Sequence, residues 1–324
     1  YEFDLYIDMG TRNPIRYINQ LGEGLYVIDD EKNYMNFIDT AVMEADEYPM
    51  LIQKGLQRFY FENAVPRKYK FKSTEDAITR FGKASLEFDE LGKFSKKIGR
   101  QYIEQYGVPA FCSSKPMFPI EVLFCALRGI KGLSLDFRRN AKYLPDALRV
   151  IDGYYNPLFD NALNNFVDSD EVFFPFRATS MSHNMMNPKQ FGEYTWPFIK
   201  RYIDTVAEND MISFLFTEGS ISHLIDYFQE IPKGRIALLI EMDDPVELKK
   251  KLPNITIVGG YPSNLLAGAA QQECIDEAKK LIDDMAFDGN YIFACNKMLS
   301  YPNDAIGKNV LAVNNFVREY AVFK

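Results

Sequence analysis

From about residue 120 onward the chain alternates short apolar runs with stretches of helical period. The apolar runs fall at residues 172–176, 211–216, 235–240, 255–258 and 291–294, each short enough for a buried strand. Helical stretches follow them. One starts at Asn187-Pro188 and carries Phe191, Tyr194, Phe198 and Tyr202 on roughly one face, with Asn187 as cap and Pro188 in the first helical position. Others cover 221–231, 245–252, 274–285 and 309–323, and an earlier run at 119–126 leads into a helix over 136–152. Strand followed by helix, several times in succession, predicts an α/β fold with a parallel sheet and crossover helices. The brevity of the strands and the length of 324 residues favour a (β/α)8 barrel, the TIM type, over an open sheet. The first 110 residues are rich in charge and aromatics and helical in pattern. There Ser73 is a natural cap, with Asp76 in the capping-box position. No Gly/Ser linker or low-complexity stretch interrupts the chain. A single domain over 1–324 is therefore expected, with 1–110 as a helical N-terminal extension and 111–324 supplying most of the barrel.

Composition narrows the function. Aromatics make up 15%, nearly all Phe and Tyr, which reads first as a core packed with rings and second as an aromatic-lined pocket. The net charge is -8 and the densest basic stretch, residues 67–72, is short, so nucleic acid is not the expected partner. No apolar run reaches the ~18 residues of a membrane span. Cys112, Cys125, Cys274 and Cys295 form no CxxC pair and no disulfide framework. No leader is visible, and the cytoplasm is the expected location.

In a barrel of this type the active site lies at the C-terminal ends of the strands, so the residues just past each run carry the candidate chemistry. They are Arg177 with His183 shortly beyond, Glu218 followed by Gly219, Glu241 and Asp243, the pair Gly259-Gly260 with Tyr261, and Cys295 with Lys297. Each has an ordinary reading as a helix cap, a solvated loop residue or a small buried hydrophobe; what singles them out is repetition at one geometric position. Carboxylate, thiolate and imidazole can together hold zinc, and Glu218, Cys295 and either His183 or His223 are the set that could do so.

The same segments resemble the uroporphyrinogen decarboxylase superfamily, in the branch of its corrinoid-dependent methyltransferases. The resemblance is carried by residues 186–196 (MNPKQFGEYTW), 214–220 (FLFTEGS), 239–244 (LIEMDD) and 257–266 (IVGGYPSNLL), with weaker stretches at 281–292 and 303–313. Earlier, residues 47–52 (EYPMLI) and 118–139, with Arg128-Gly129 and Asp136 in place, continue it. It spans about residue 40 to the end and implies a TIM-type barrel.

The resemblance implies transfer of a methyl group from a small O- or N-methylated donor to a corrinoid on a partner protein. It implies Glu218 as general acid or metal ligand, Glu241 or Asp243 as second carboxylate, and a pocket shaped by Arg177, Gly259, Gly260 and Tyr261. It also implies zinc held by Glu218, Cys295 and His183, and leaves a homodimer open. The chain departs from the family pattern in places. Glu218-Gly219-Ser220 stands where the zinc enzymes carry H-x-C, with Cys295 near their later cysteine. The decarboxylases' arginine-rich N-terminal segment and terminal histidine turn are replaced by residues 11–17 (TRNPIRY) and 295–298 (CNKM). A decarboxylase-like lyase acting on a tetrapyrrole or other carboxylate is the second expectation, and a non-catalytic ligand-binding member the third.

Overall fold

The computed structural model describes residues 15–22, 26–29, 34–39, 41–167, 171–299 and 302–322. Most of the 11–17 segment, and Phe323, lie outside these. The chain divides at Phe173/Phe174 into two compact units.

The N-terminal unit is mostly helical, with a small antiparallel hairpin of β1 (Tyr26–Asp29) and β2 (Tyr34–Phe37) and a short strand β3 (Ala110–Ser114). Its longest helix, Thr74–Tyr106, begins as its sequence predicts: the Ser73 hydroxyl accepts the Asp76 N–H at 3.1 Å. The Asp76 carboxylate does not close the box. It accepts instead from the Lys72 N–H and from Arg80 Nε, at 2.9 and 2.8 Å. Charged residues interrupt this helix throughout, and among the described residues no helix is long and apolar enough to cross a membrane.

The run at 119–126 is helical rather than a strand: Pro119–Val122 leads into a π-helical turn, Leu123–Arg128, and then into helix Gly129–Arg139. Pro119 sits in the first turn, where its missing N–H has no partner to lose. The Leu127 carbonyl accepts the N–H groups of Val42 and Met43 at 2.8 and 2.9 Å. Beside it lies a buried ion pair, Arg128 Nε to Asp136 Oδ2 at 2.5 Å, joined by the Tyr48 hydroxyl at 2.8 Å and the Asn140 amide at 2.7 Å. Burial, and then the adjacent Asp136 carboxylate, push the Tyr48 phenol well above its ordinary range.

The C-terminal unit is the α/β part. Its strands are β4 (Val172–Ser180), β5 (Ser213–Thr217), β6 (Ile236–Ile240), β7 (Thr256–Gly259) and β8 (Tyr291–Ile292). They pair in parallel in chain order, β4-β5-β6-β7-β8. Every residue of β5 and β6 is buried, the pattern of strands covered on both faces. Helices cross between successive strands: Pro188–Tyr194 and Trp196–Glu208, Ile225–Gln229, Pro245–Lys251, and Gln271–Met285. Spatial order that follows chain order is the winding of a TIM-type barrel, whereas a doubly wound sheet reverses at a switch point.

Closure is the part that needs correcting. Among the described residues β8 pairs with β7 alone, so the ladder is open where a complete eight-stranded barrel was expected. β8 is only two residues long, and beyond it the pairing shrinks to a single bridge, Tyr261 to Cys295. The helix expected to run unbroken from Asn187 is two helices, because Pro197 forces a new start after Thr195. Asn187 does close a full capping box with Gln190.

A candidate active site at the strand ends

The register of the ladder places the candidate residues. Ser180 pairs with Thr217, Thr217 with Ile240, and Ile240 with Gly259. The last residues of four strands therefore stand in one row, and Glu218 and Glu241 emerge side by side, each one residue past its strand.

Three loops are tied together there. Glu218 is fixed through its backbone: its N–H donates to the Ser180 carbonyl at 3.0 Å, and its carbonyl accepts from the Asn184 amide. The Asn184 side-chain oxygen accepts the Ser220 N–H at 3.2 Å. Between these contacts Gly219 has a φ of 90°, and a Cβ there would collide with the Asn184 amide. Glu241 holds the same loop from the other side. One oxygen accepts the Gly219 N–H at 2.6 Å and the other pairs with Lys297 Nζ at 3.2 Å. Asp243 accepts the Ser220 and Ser222 hydroxyls, both at 2.5 Å, and the Ile221 N–H at 2.8 Å. All three groups donate, so this carboxylate serves as an acceptor for backbone and hydroxyls of one loop. Glu241 and Asp243 thus clamp the loop that presents Glu218.

Other candidates land elsewhere. Arg177 lies inside β4, opposite Phe214, because that strand runs on to Ser180. Tyr261 is fully buried, its hydroxyl donating to the Cys274 carbonyl at 3.1 Å and its ring packed on Phe293, so it belongs to the core and not to a pocket wall. Gly259 and Gly260 have φ of 97° and 89°, and their missing side chains make room for Leu239, Cys295 and Pro245. Burial pushes the Cys295 thiol up to about 11. Among the described residues no group of three His, Cys, Asp or Glu side chains could hold a metal ion, so Glu218, Cys295 and His183 do not fit zinc.

The Gly259 crowding yields a test. Gly259→Ala puts a Cβ 3.0 Å from Leu239 Cδ1 and 3.3 Å from two carbonyl oxygens, whereas Gly234, also at positive φ, has open space around it. Gly234→Ala should cost about 1–2 kcal/mol from φ alone, and Gly259→Ala clearly more in the same urea titration.

His183 sits in a three-ten turn just past β4, 1% exposed. Its Nδ1 hydrogen-bonds the Ser180 hydroxyl at 3.1 Å. Burial, followed by nearby His223, lowers its pKa to about 4, with Asp243 opposing. Above the ordinary value of 6.5 the ring is neutral folded or unfolded. Between 6.5 and about 4 the unfolded chain takes up a proton that the folded one refuses, so stability falls as pH falls. The loss through this window should reach about 3 kcal/mol. Urea titrations at several pH values should show that slope for the wild type and a flatter one for His183→Gln.

The clamp roles of Asn184, Ser220 and Ser222 escape a reading of the sequence; their signal is no more than short polar residues in the segments that follow β4 and β5.

Residues 171–320 match the model of the uroporphyrinogen decarboxylase (URO-D) family. No curated protein matches the sequence. Among solved structures it is similar to a methyltransferase from Methanosarcina mazei, with a TM-score of 0.57 and 14% sequence identity over 95% of this chain and 78% of that one. At this identity the likeness is one of fold.

Proposed function

We propose that this protein is a methyltransferase-like member of the superfamily, taking a methyl group from a small O- or N-methyl donor and passing it to a corrinoid on a partner protein. The observation that carries the reading is the clamped loop after β5. Asn184, Glu241 and Asp243 fix the backbone on either side of Glu218, which stands one residue past β5 at the end of the parallel ladder. When the methyl–heteroatom bond breaks, its electron pair stays on the oxygen or nitrogen, which needs a proton. Glu218 is the general acid that supplies it. The corrinoid is a substrate here. Among the described residues no three such side chains stand together to hold a metal ion, and no step proposed here runs through zinc.

The family's own chemistry supports a second reading, decarboxylation of a polycarboxylate. That substrate calls for converging arginines. Arg177 lies within β4, and Lys297 is already paired with Glu241.

The test is anaerobic incubation with free cob(I)alamin as acceptor and a panel of methanol, methoxybenzene, methylamine and trimethylamine. Formation of methylcobalamin from any of them, measured by absorbance, is the expected result. If none reacts while uroporphyrinogen releases carbon dioxide, the decarboxylase reading replaces this one.

A further inference from the structure

The helix Thr74–Tyr106 is about 50 Å long at 1.5 Å per residue, yet Ala84 is its one buried residue. The short helix Ile15–Leu21 packs against it, with Tyr17 edge-on to Phe88 at 5.5 Å. Ile78, Leu86, Phe94 and Tyr106 face solvent, each at least 62% exposed. With Ile98 and Tyr102 they lie on a single row of four-residue steps, 78-82-86-90-94-98-102-106, whose other members are Gly82 and Glu90. A row of this spacing is the ridge that packs into the groove of another helix. Helices in water are held mainly by an apolar face packed on something, and a continuous exposed apolar surface marks a contact site.

We propose that this ridge is the contact between two copies of the chain, whose long helices cross antiparallel about a two-fold axis near Gly92. The ridge reads onto itself when reversed about residue 92. Ile78 then falls opposite Tyr106 and Leu86 opposite Ile98, the self-complementarity that a two-fold contact requires. The charges behave in the same way. Glu87, Asp89 and Glu90 lie just before residue 92, and Lys93, Lys96, Lys97 and Arg100 just after it. Reversal sets the acidic turn of each copy against the basic turn of the other, whereas a parallel pair sets like charge on like. Some of these groups are engaged within the chain: Lys93 pairs with Asp89 and Glu90 at 2.7 and 3.0 Å, Glu87 with Arg16 at 3.4 Å, and Arg100 with Glu104 at 4.0 Å. Exposed pairs of this kind exchange partners at little cost. Lys96 and Lys97 enter no ion pair among the described residues. At the crossing point itself a Cβ on Gly92 would meet nothing within 4 Å among the described residues.

Sedimentation equilibrium of the full chain, at rising protein concentration and at low and high salt, tests the contact. A dimer is expected that weakens as salt rises, because the opposed charges are then screened. Leu86→Glu with Phe94→Glu should raise its dissociation constant at least about a hundredfold. Two charge-reversed chains make the sharper test: Asp89→Lys with Glu90→Lys, and Lys96→Glu with Lys97→Glu. Each alone should be monomeric, since every turn at the crossing then carries one sign, and an equimolar mixture should restore the dimer. All four positions are exposed, so far-ultraviolet circular dichroism should match the wild type, and recovery in the mixture shows that both variants fold. A wild-type chain that stays monomeric overturns the inference, and so does a dimer indifferent to these substitutions. A dimer that tightens with salt overturns the antiparallel orientation. A monomer that floats with phosphatidylglycerol vesicles gives the ridge to a lipid surface instead.

Discussion

Glu218→Gln is expected to slow methyl transfer by about 10²–10⁴-fold, the range for removing a general acid, with little change in stability. The amide keeps the size of the side chain and loses its transferable proton. The loop should not move, because its ties run through the Glu218 backbone, Gly219, Ser220 and Ile221. The loss should therefore appear in kcat more than in KM. Glu241→Gln makes the informative contrast. It weakens the charged acceptor of the Gly219 N–H and leaves Lys297 without its partner, so it should loosen the loop and raise KM as well as lower kcat. A Glu218→Gln variant that transfers methyl groups at the wild-type rate ends the assignment of Glu218 as the acid.

The elements that were readable from the sequence are those decided by local pattern. β6 is a continuous apolar run between a glycine turn and an acidic pair, and it begins and ends within a residue of where its composition places it. Asn187 caps its helix because Asn-Pro followed by Gln at the third position carries the whole motif within four residues. Glu218 and Glu241 were found one step past their strands for the same reason. What was not readable depends on pairing between distant segments. Arg177 falls inside β4 because Ala178 and Ser180 continue the buried alternation, and small residues give a weak apolar signal. Tyr261 follows two glycines and precedes a proline, which reads as an exposed turn. It is drawn into the core by a bridge to Cys295, 34 positions away in sequence. The roles of Glu241 and Asp243 changed once the loops were seen together: two carboxylates that look catalytic in sequence are consumed in holding backbone and hydroxyl donors.

The second large effect lies in the N-terminal unit and concerns folding. Asp136→Leu is expected to destabilise the protein by about 3–5 kcal/mol, because it leaves the Arg128 guanidinium buried without its counter-charge. Arg128 is 6% exposed and Asp136 1%, and the pair also anchors the Met43 carbonyl, the Tyr48 hydroxyl and the Asn140 amide. Arg128→Met should cost a similar amount for the mirror reason, and it also leaves the Met43 carbonyl without the guanidinium donor. The double variant Arg128→Met with Asp136→Leu should cost well less than the two singles added together, since no buried charge is then left alone. Urea unfolding followed by far-ultraviolet circular dichroism on all four proteins closes the cycle. Trp196, the single tryptophan, lies in the C-terminal unit, so its fluorescence cannot stand in for the signal of the helices around Arg128. Single-variant losses below about 1 kcal/mol that simply add would mean that the pair is solvated in solution. The resemblance to the family at Arg128-Gly129 and Asp136 would then mark something other than a buried strut.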